Sequence, residues 1–327
     1  MDTTNRDKPR DGGEDRKLGI ALVLAGGICW GFIGIFVQAI GPVIDTFTLS
    51  ILRLGIASIL MVPVIILQKG VKAFLLPAKN LYFFILFGLG YWPLYQLSYF
   101  SAIQMVSANI AVILLYTAPF YVIVLARIFL GETITKRKVI AAVLGVAGVW
   151  IMFMSWAMDS TPAMLLGGLL GLGAGFFFAT YYIYVKKALV ASDPFITSFY
   201  SMFFGCIFIM LATLIFFRDR VYYQLDARSM MLIVGIAFVS TVLGNTLSIM
   251  GMKRLEAGEA GVLGLIEPIT TLIASWLIFG SVLRGWQFAG ALLVLSGAYL
   301  IYRQPGLGTA DTPENYERQY DRKEDGN

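Results

Sequence analysis

Long apolar runs alternate with short polar connections along nearly the whole chain. Each run is about 20 residues, the length an α-helix needs to cross the hydrocarbon core of a bilayer. Ten such helices are predicted, at 18–40, 46–67, 80–103, 107–130 and 138–156, then at 163–186, 194–217, 229–252, 257–280 and 285–302. The short connections predict antiparallel neighbours packed side by side. Residues 1–17 and 303–327 are polar, of mixed charge and without apolar period, the pattern of disordered tails. A cleavable leader is not expected, because the first apolar run is full-length and no small-residue cleavage site follows a short core.

The pattern repeats. Asp45-Thr-Phe47-Thr-Leu-Ser50 resembles Asp193-Pro-Phe195-Ile-Thr-Ser198, and Gly27 matches Gly175. With one residue added, Ala111, Leu114, Pro119, Gly131 and Gly148 match Ala260, Leu263, Pro268, Gly280 and Gly297. Residues 18–156 and 163–302 therefore read as two copies of one five-helix unit. Five is odd, so the second copy enters the membrane from the opposite side. The expected fold class is all-α integral membrane, ten transmembrane helices in two inverted five-helix repeats around a central cavity. Pro268 cannot donate to the carbonyl of Gly264, nor Pro119 to that of Leu115, so matched helix breaks are expected at equal depth. Irregular backbone survives in a bilayer only where protein or a water-filled cavity covers it.

Composition agrees with a membrane protein: 58% of residues are hydrophobic and 14% charged, against about one-quarter charged in soluble domains. The net charge of +5 is a topology signal rather than a nucleic-acid footprint. Lys and Arg crowd into alternate connections, as in Lys136-Arg-Lys138, Lys186-Lys187 and Lys253-Arg254. The other side holds only Arg218, Arg220, Arg228 and Arg284. Both termini are thus expected in the cytoplasm, in a multi-pass protein of the cell (inner) membrane. Cys29 and Cys206 lie inside apolar runs, with no disulfide or zinc spacing. The absence of histidine removes the commonest general base and metal ligand. No catalytic set, metal site or cofactor is expected.

Glu267, directly before Pro268, is the sharpest chemical signal. A charged carboxylate at helix centre costs about 2.5–3.5 kcal/mol, so it should face the interior or be protonated. Gly264, Glu267, Thr271 and Ala274 share a helical face. Proton coupling and binding of a substrate ammonium are functional readings. A structural carboxylate, bonded to backbone that Pro268 loosens, is the bland one. Trp92, Gln96 and Tyr99 fall on one face of the third helix, and Thr241, Asn245 and Ser248 are their repeat counterparts. Amides and hydroxyls in hydrocarbon need partners, so these stripes point inward, toward substrate or toward a neighbouring helix. Trp30, Tyr116 and Phe178 are too deep for an interfacial belt; with Tyr182 they could wall a cavity or simply fill the core. Arg53, deep in the second helix, needs an acid or carbonyls nearby. The glycines at 171–175 lie inside a span and follow no strand, so a dinucleotide reading fails. No GxxxxGK[ST] motif marks a resident ATPase.

Leu115-Tyr-Thr-Ala-Pro119, Leu130-Gly-Glu132 and a glycine-punctuated fifth helix resemble the first repeat of the EamA branch of the drug/metabolite transporter superfamily. Leu265-Ile-Glu-Pro268, Gly280 and the tenth helix resemble its second repeat, and Trp30-Gly31 and Arg53 fit the same pattern. Ser281, where that repeat often has Glu, is a departure. The resemblance implies ten helices around a cavity and export of small metabolites. The reading is a secondary transporter of small organic solutes such as amino acids, working by alternating access. Its candidate substrate residues are Trp30, Trp92, Gln96, Tyr99, Tyr116, Tyr182, Asn245, Ser248, Glu267 and Thr271, with Glu267 for proton coupling and Pro119 and Pro268 as helix breaks. Expected partners are a small-molecule substrate and the lipid bilayer, not nucleic acid; a homodimer is compatible. A facilitative uniporter or exchanger, a non-transporting membrane partner and a membrane enzyme are the rivals. The enzyme suffers from short loops and the lack of any nucleophile–base set.

Overall fold

A computed structural model describes residues 12–106, 108–153, 162–217, 224–280 and 284–303. Among them the regular structure is helical, in ten rods. The first repeat has α1 (Gly12–Ile40), α2 (Thr46–Lys69), α3 (Ala78–Met105), a broken rod of α4 (Ala108–Leu115) and α5 (Ala118–Leu130), and α6 (Lys136–Phe153). The second has α7 (Pro162–Ala191), α8 (Pro194–Phe216), a rod of α9 (Ala227–Ile236), a π-helical segment (Ala237–Leu243) and α10 (Gly244–Met252), then a broken rod of α11 (Ala257–Leu263) and α12 (Ile266–Phe279), and α13 (Gly285–Tyr302). Eight rods are long and apolar enough to cross a membrane. The other two are α3 and α6: α3 carries Lys79, Asn80, Gln96 and many aromatics, and α6 opens on Lys136-Arg-Lys138.

Local chemistry sets the helix ends at repeat-related places. Asp45 caps α2, accepting from the amides of Phe47 at 2.9 Å and Thr48 at 3.0 Å. Its counterpart Asp193 caps α8 through Phe195 at 2.9 Å. Such caps satisfy amides that no helical carbonyl can reach. Gly131 and Gly280 end α5 and α12 with φ of 71° and 65°, a left-handed conformation that favours glycine. Both predicted breaks are present, at Tyr116–Thr117 and Gly264–Leu265, with each proline in the first turn of the helix that follows. The Gly264 carbonyl is not left bare, however: the Glu267 amide takes it at 3.1 Å, tightening the chain into a single turn.

The repeat is visible in packing. Gly148 of α6 meets Gly290 of α13, and the pair related to it by the sequence repeat, Gly297 and Ala141, meets in the same way. The stripe of Gly167, Gly171 and Gly175 lies against Met105 and Leu114, which brings α7 close to α3 and α4.

The expected first tail needs correction. Residues 12–17 form the first turns of α1, held by Arg16 on Glu259 at 2.7 Å and by Asp15 on Arg254 at 2.9 Å. Their four consecutive charged residues, Glu14 to Lys17, hide the helix from a hydropathy reading, and partners remote in sequence hold it. Residues 1–11 and 304–327, the rest of the two expected tails, lie outside the described residues, as do Arg218, Arg220 and Ser281. Replacing Asp45 with Ala should lower stability by about 1 kcal/mol, with Asp45→Asn nearly neutral. Thermal unfolding of the two variants in detergent checks this.

Candidate functional site

A cavity of about 380 Å³ lies between the two repeats. Its lining runs from mid-helix toward the end of the bundle away from the termini: Trp30 to Val37 on α1, Thr46 to Arg53 on α2, and Tyr91 to Phe100 on α3. Tyr116 at the first helix break and Glu267, Pro268 and Thr271 just after the second complete its deep wall. None of the candidate substrate residues lies on the second helix, although Thr46, Ser50 and Arg53 share one face of it and line this wall.

Glu267 is placed by three local features. The break at Gly264–Leu265 starts α12 at mid-depth, so Glu267 stands in a helix's first turn, where free amides favour an anion. Gly31 lets α12 press onto α1; a methyl group there would lie 2.5 Å from Thr270 Cβ. The Thr271 hydroxyl then donates to the Gly31 carbonyl at 2.8 Å and locks that contact. The Tyr116 side chain, from the other break, lies beside the carboxylate, and both line the cavity. The two breaks thus touch across the repeat interface. The reading of Glu267 as a carboxylate bonded to its own loosened backbone is not what the structure contains: the Gly264 carbonyl is taken by an amide, and the carboxylate faces the cavity.

Arg53 lines the same cavity. It lies near enough to Glu267 for the two charges to interact, with Tyr91 and Tyr95 beside it. Among the described residues no carboxylate comes within 4 Å of it, and its Nε is buried without a hydrogen-bond partner. Tyr91, Tyr95 and Tyr99 stack along α3, with centroids 5.6 and 5.9 Å apart, and Phe178 and Tyr181 of α7 extend the aromatic wall.

The other candidates divide. Trp30, Tyr99, Tyr116 and Thr271 face the cavity. Trp92 reaches it only at an edge, since its ring packs over Gly205 of α8. Gln96 and Asn245 stand in the wall, but their amides are committed. Gln96 donates to Ser50. Asn245 accepts from Tyr181 at 2.5 Å and donates to Ser198 at 3.2 Å and Ser201 at 3.4 Å. Both brace neighbouring helices. Ser248 and Tyr182 are not among the lining residues. Ser248 turns to Gly26 of α1, and the Tyr182 hydroxyl sits beneath the break at Gly264. Pro119 is buried in the packed core rather than at the cavity. The π-helical segment shifts the register between Thr241 and Ser248, so a stripe drawn with an even helical period loses its last member.

The end nearest the termini is shut. There α5 packs on α11, whereas the repeat-related pair, α4 and α12, has no comparable packing among the described residues. Buried Glu132 follows α5 and accepts from the first amides of α11, Ala257 at 2.5 Å and Gly258 at 3.1 Å. Buried Lys138 lies 3.8 Å from Glu132 and pairs with Glu256. Burial pushes the Glu256 carboxyl up, and the Lys138 hydrogen bond pulls the other way. Lys186 donates to the carbonyls of Met252 at 3.2 Å and Leu255 at 2.9 Å. Sequence reasoning passed over this cluster, because a Gly-Glu after an apolar run reads as an ordinary polar connection.

The EamA-like transporter family model matches residues 17–154 and 165–303, one copy on each repeat. A transporter of Archaeoglobus fulgidus is 26% identical over 288 residues, 88% of this chain and 97% of its own length. A probable amino-acid metabolite efflux pump of Escherichia coli is 26% identical over 200 residues, 59% of this chain and 67% of its own. A protein crystal structure, 17% identical, superposes over 86% of this chain and 95% of its own with a TM-score of 0.73, a likeness of fold.

Charge-assisted bonds such as those of Glu132 contribute about 1.5–3 kcal/mol each. In a chain with Cys29 and Cys206 replaced, a Val122→Cys reporter sits buried at the α5–α11 contact. Adding Glu132→Gln should raise its labelling by a soluble thiol reagent about tenfold or more, given those bond strengths. An unchanged rate would mean that the carboxylate does not hold this end shut.

Proposed function

The chain belongs to the EamA-like transporter family, and on that premise we propose that it is a secondary transporter exporting small metabolites of the amino-acid class across the cell membrane by alternating access. The observation that carries this reading is the unequal packing of repeat-related pairs, α5–α11 tight and α4–α12 apart, with the cavity on the loose side. Exchanging the two arrangements would open the same cavity at the other end, which is how inverted repeats alternate. With both termini in the cytoplasm, as the Lys and Arg distribution favours, the state described faces outward. The similarity to an amino-acid efflux pump supports the cargo class and the direction.

Glu267 is the coupling group in this proposal. Arg53 faces it from α2, Tyr95 and Tyr99 from α3, Tyr116 from the first break and Tyr182 from α7. Substrate ammonium and proton compete for one carboxylate. Cargo leaves outward, a proton takes its place, and the protonated carrier returns. A protonated or paired carboxylate can cross the closed intermediate; an unpaired one is held back by its desolvation cost.

Purified protein in liposomes should carry labelled neutral amino acids at a rate that follows an imposed pH gradient. Glu267→Gln should lose that dependence and weaken apparent substrate affinity about tenfold, the effect of one lost charged partner. An unchanged pH profile and affinity in Glu267→Gln would remove Glu267 from both tasks. Gradient-independent flux in the wild type would make the carrier facilitative.

A further inference from the structure

We propose that Arg53 is the anchor for a substrate carboxylate, so that the cavity selects zwitterions held between Arg53 and Glu267. This rests on the transport reading above and names the chemistry of its cargo.

The argument begins with what Arg53 lacks. A guanidinium at this depth in a span is costly, and such residues ordinarily pair with an acid or with carbonyls. The acid in reach is Glu267, close enough for the two charges to interact, yet not within 4 Å. The two groups therefore stand apart on the walls of one cavity rather than neutralising each other. The buried Arg53 Nε has no protein acceptor. Guanidinium matches carboxylate geometry through two parallel N–H donors, and no other side chain presents them in that fixed fork.

The walls on which Arg53 and Glu267 stand are themselves braced. One turn before Arg53 on α2, Ser50 donates to the Thr46 carbonyl at 2.8 Å and accepts from Gln96 of α3. Tyr91 and Tyr95, the aromatic face beside Arg53, are stacked on each other, with Tyr181 against Tyr91 and Phe178 against Tyr95. Glu267 is set on the other wall by the Thr271–Gly31 lock, with Tyr116 beside it. A positive pole, a negative pole and an apolar aromatic wall between them fit a molecule with carboxylate, ammonium and apolar side chain. A simple amine would leave Arg53 unpaired, and a simple acid would leave Glu267 unpaired. Each omission costs the desolvation of the abandoned charge.

The test uses full-length protein in liposomes and the neutral L-amino acid that gives the largest flux. Its carboxamide, its decarboxylated amine and its deaminated acid compete for that flux. In the wild type the carboxamide and the amine should compete about tenfold to hundredfold more weakly than the amino acid, as loss of a charged hydrogen-bond partner dictates. Arg53→Gln should bring amino acid and carboxamide within about twofold of each other, while Arg53→Lys keeps part of the gap. If Arg53→Gln does not fold, by thermal unfolding in detergent, the wild-type series and Arg53→Lys decide. A wild type that accepts the carboxamide as readily as the amino acid, or an Arg53→Gln variant that discriminates as the wild type does, overturns the anchor while leaving transport standing. Flux of no amino acid overturns the transport reading, and this inference with it.

Discussion

Two rods of this protein are interrupted at mid-depth, and a broken helix in hydrocarbon must find partners for its backbone inside the protein. That constraint organises the bundle. The breaks at Tyr116–Thr117 and Gly264–Leu265 are drawn to the repeat interface, where neighbouring helices cover them. Thr117 bonds the Leu114 carbonyl at 2.6 Å, and Glu267 N–H bonds the Gly264 carbonyl at 3.1 Å. What remains at the break is a new helix N-terminus pointing along the cavity wall. An acid placed there is stabilised by the same free amides that the break creates. The prolines thus do more than kink a helix: they put Glu267 at mid-depth on a cavity, beside the other break.

The frame is symmetric and the chemistry on it is not. Glu267 has Ala118 as its repeat counterpart, and Glu132 has Ser281. The first asymmetry gives one wall of the cavity a carboxylate that the other wall lacks. The second gives the end nearest the termini a buried acid that caps α11, with Lys138 and Glu256 around it. Buried ion pairs add little net stability but fix one arrangement against others. Here the arrangement fixed is the α5–α11 contact, the feature that closes one end of the cavity.

Legibility followed the kind of force involved. The ten rods and the breaks before Pro119 and Pro268 could be read directly, since burial period and ring geometry act within a few residues; Asp45 and Asp193 were legible as a repeat match, and their capping of α2 and α8 came from the structure. The start of α1 at Gly12 could not. Its charged first turns are held by Glu259 and Arg254, far along the chain. Asn245 was legible as inward-pointing but not as spoken for by Tyr181 and Ser198. Ser248 was misplaced by a π-helical segment that no periodicity announces. Arg53 drew attention as a misfit in its span, without any sign that its guanidinium would be left unpaired on the cavity.

By itself, then, the sequence determined the class of protein, the number and order of its rods, the duplication and the two broken helices. These follow from solvent and from covalent geometry: a bilayer demands apolar runs of a set length, and proline removes an amide wherever it stands. Only the tertiary structure decided which end is closed, which polar side chains brace helices and which face the cavity, and that Arg53 and Glu267 stand on its walls unpaired with each other. Those outcomes depend on distances between helices remote in sequence. A shift of a few ångströms there separates a satisfied hydrogen bond from an open site.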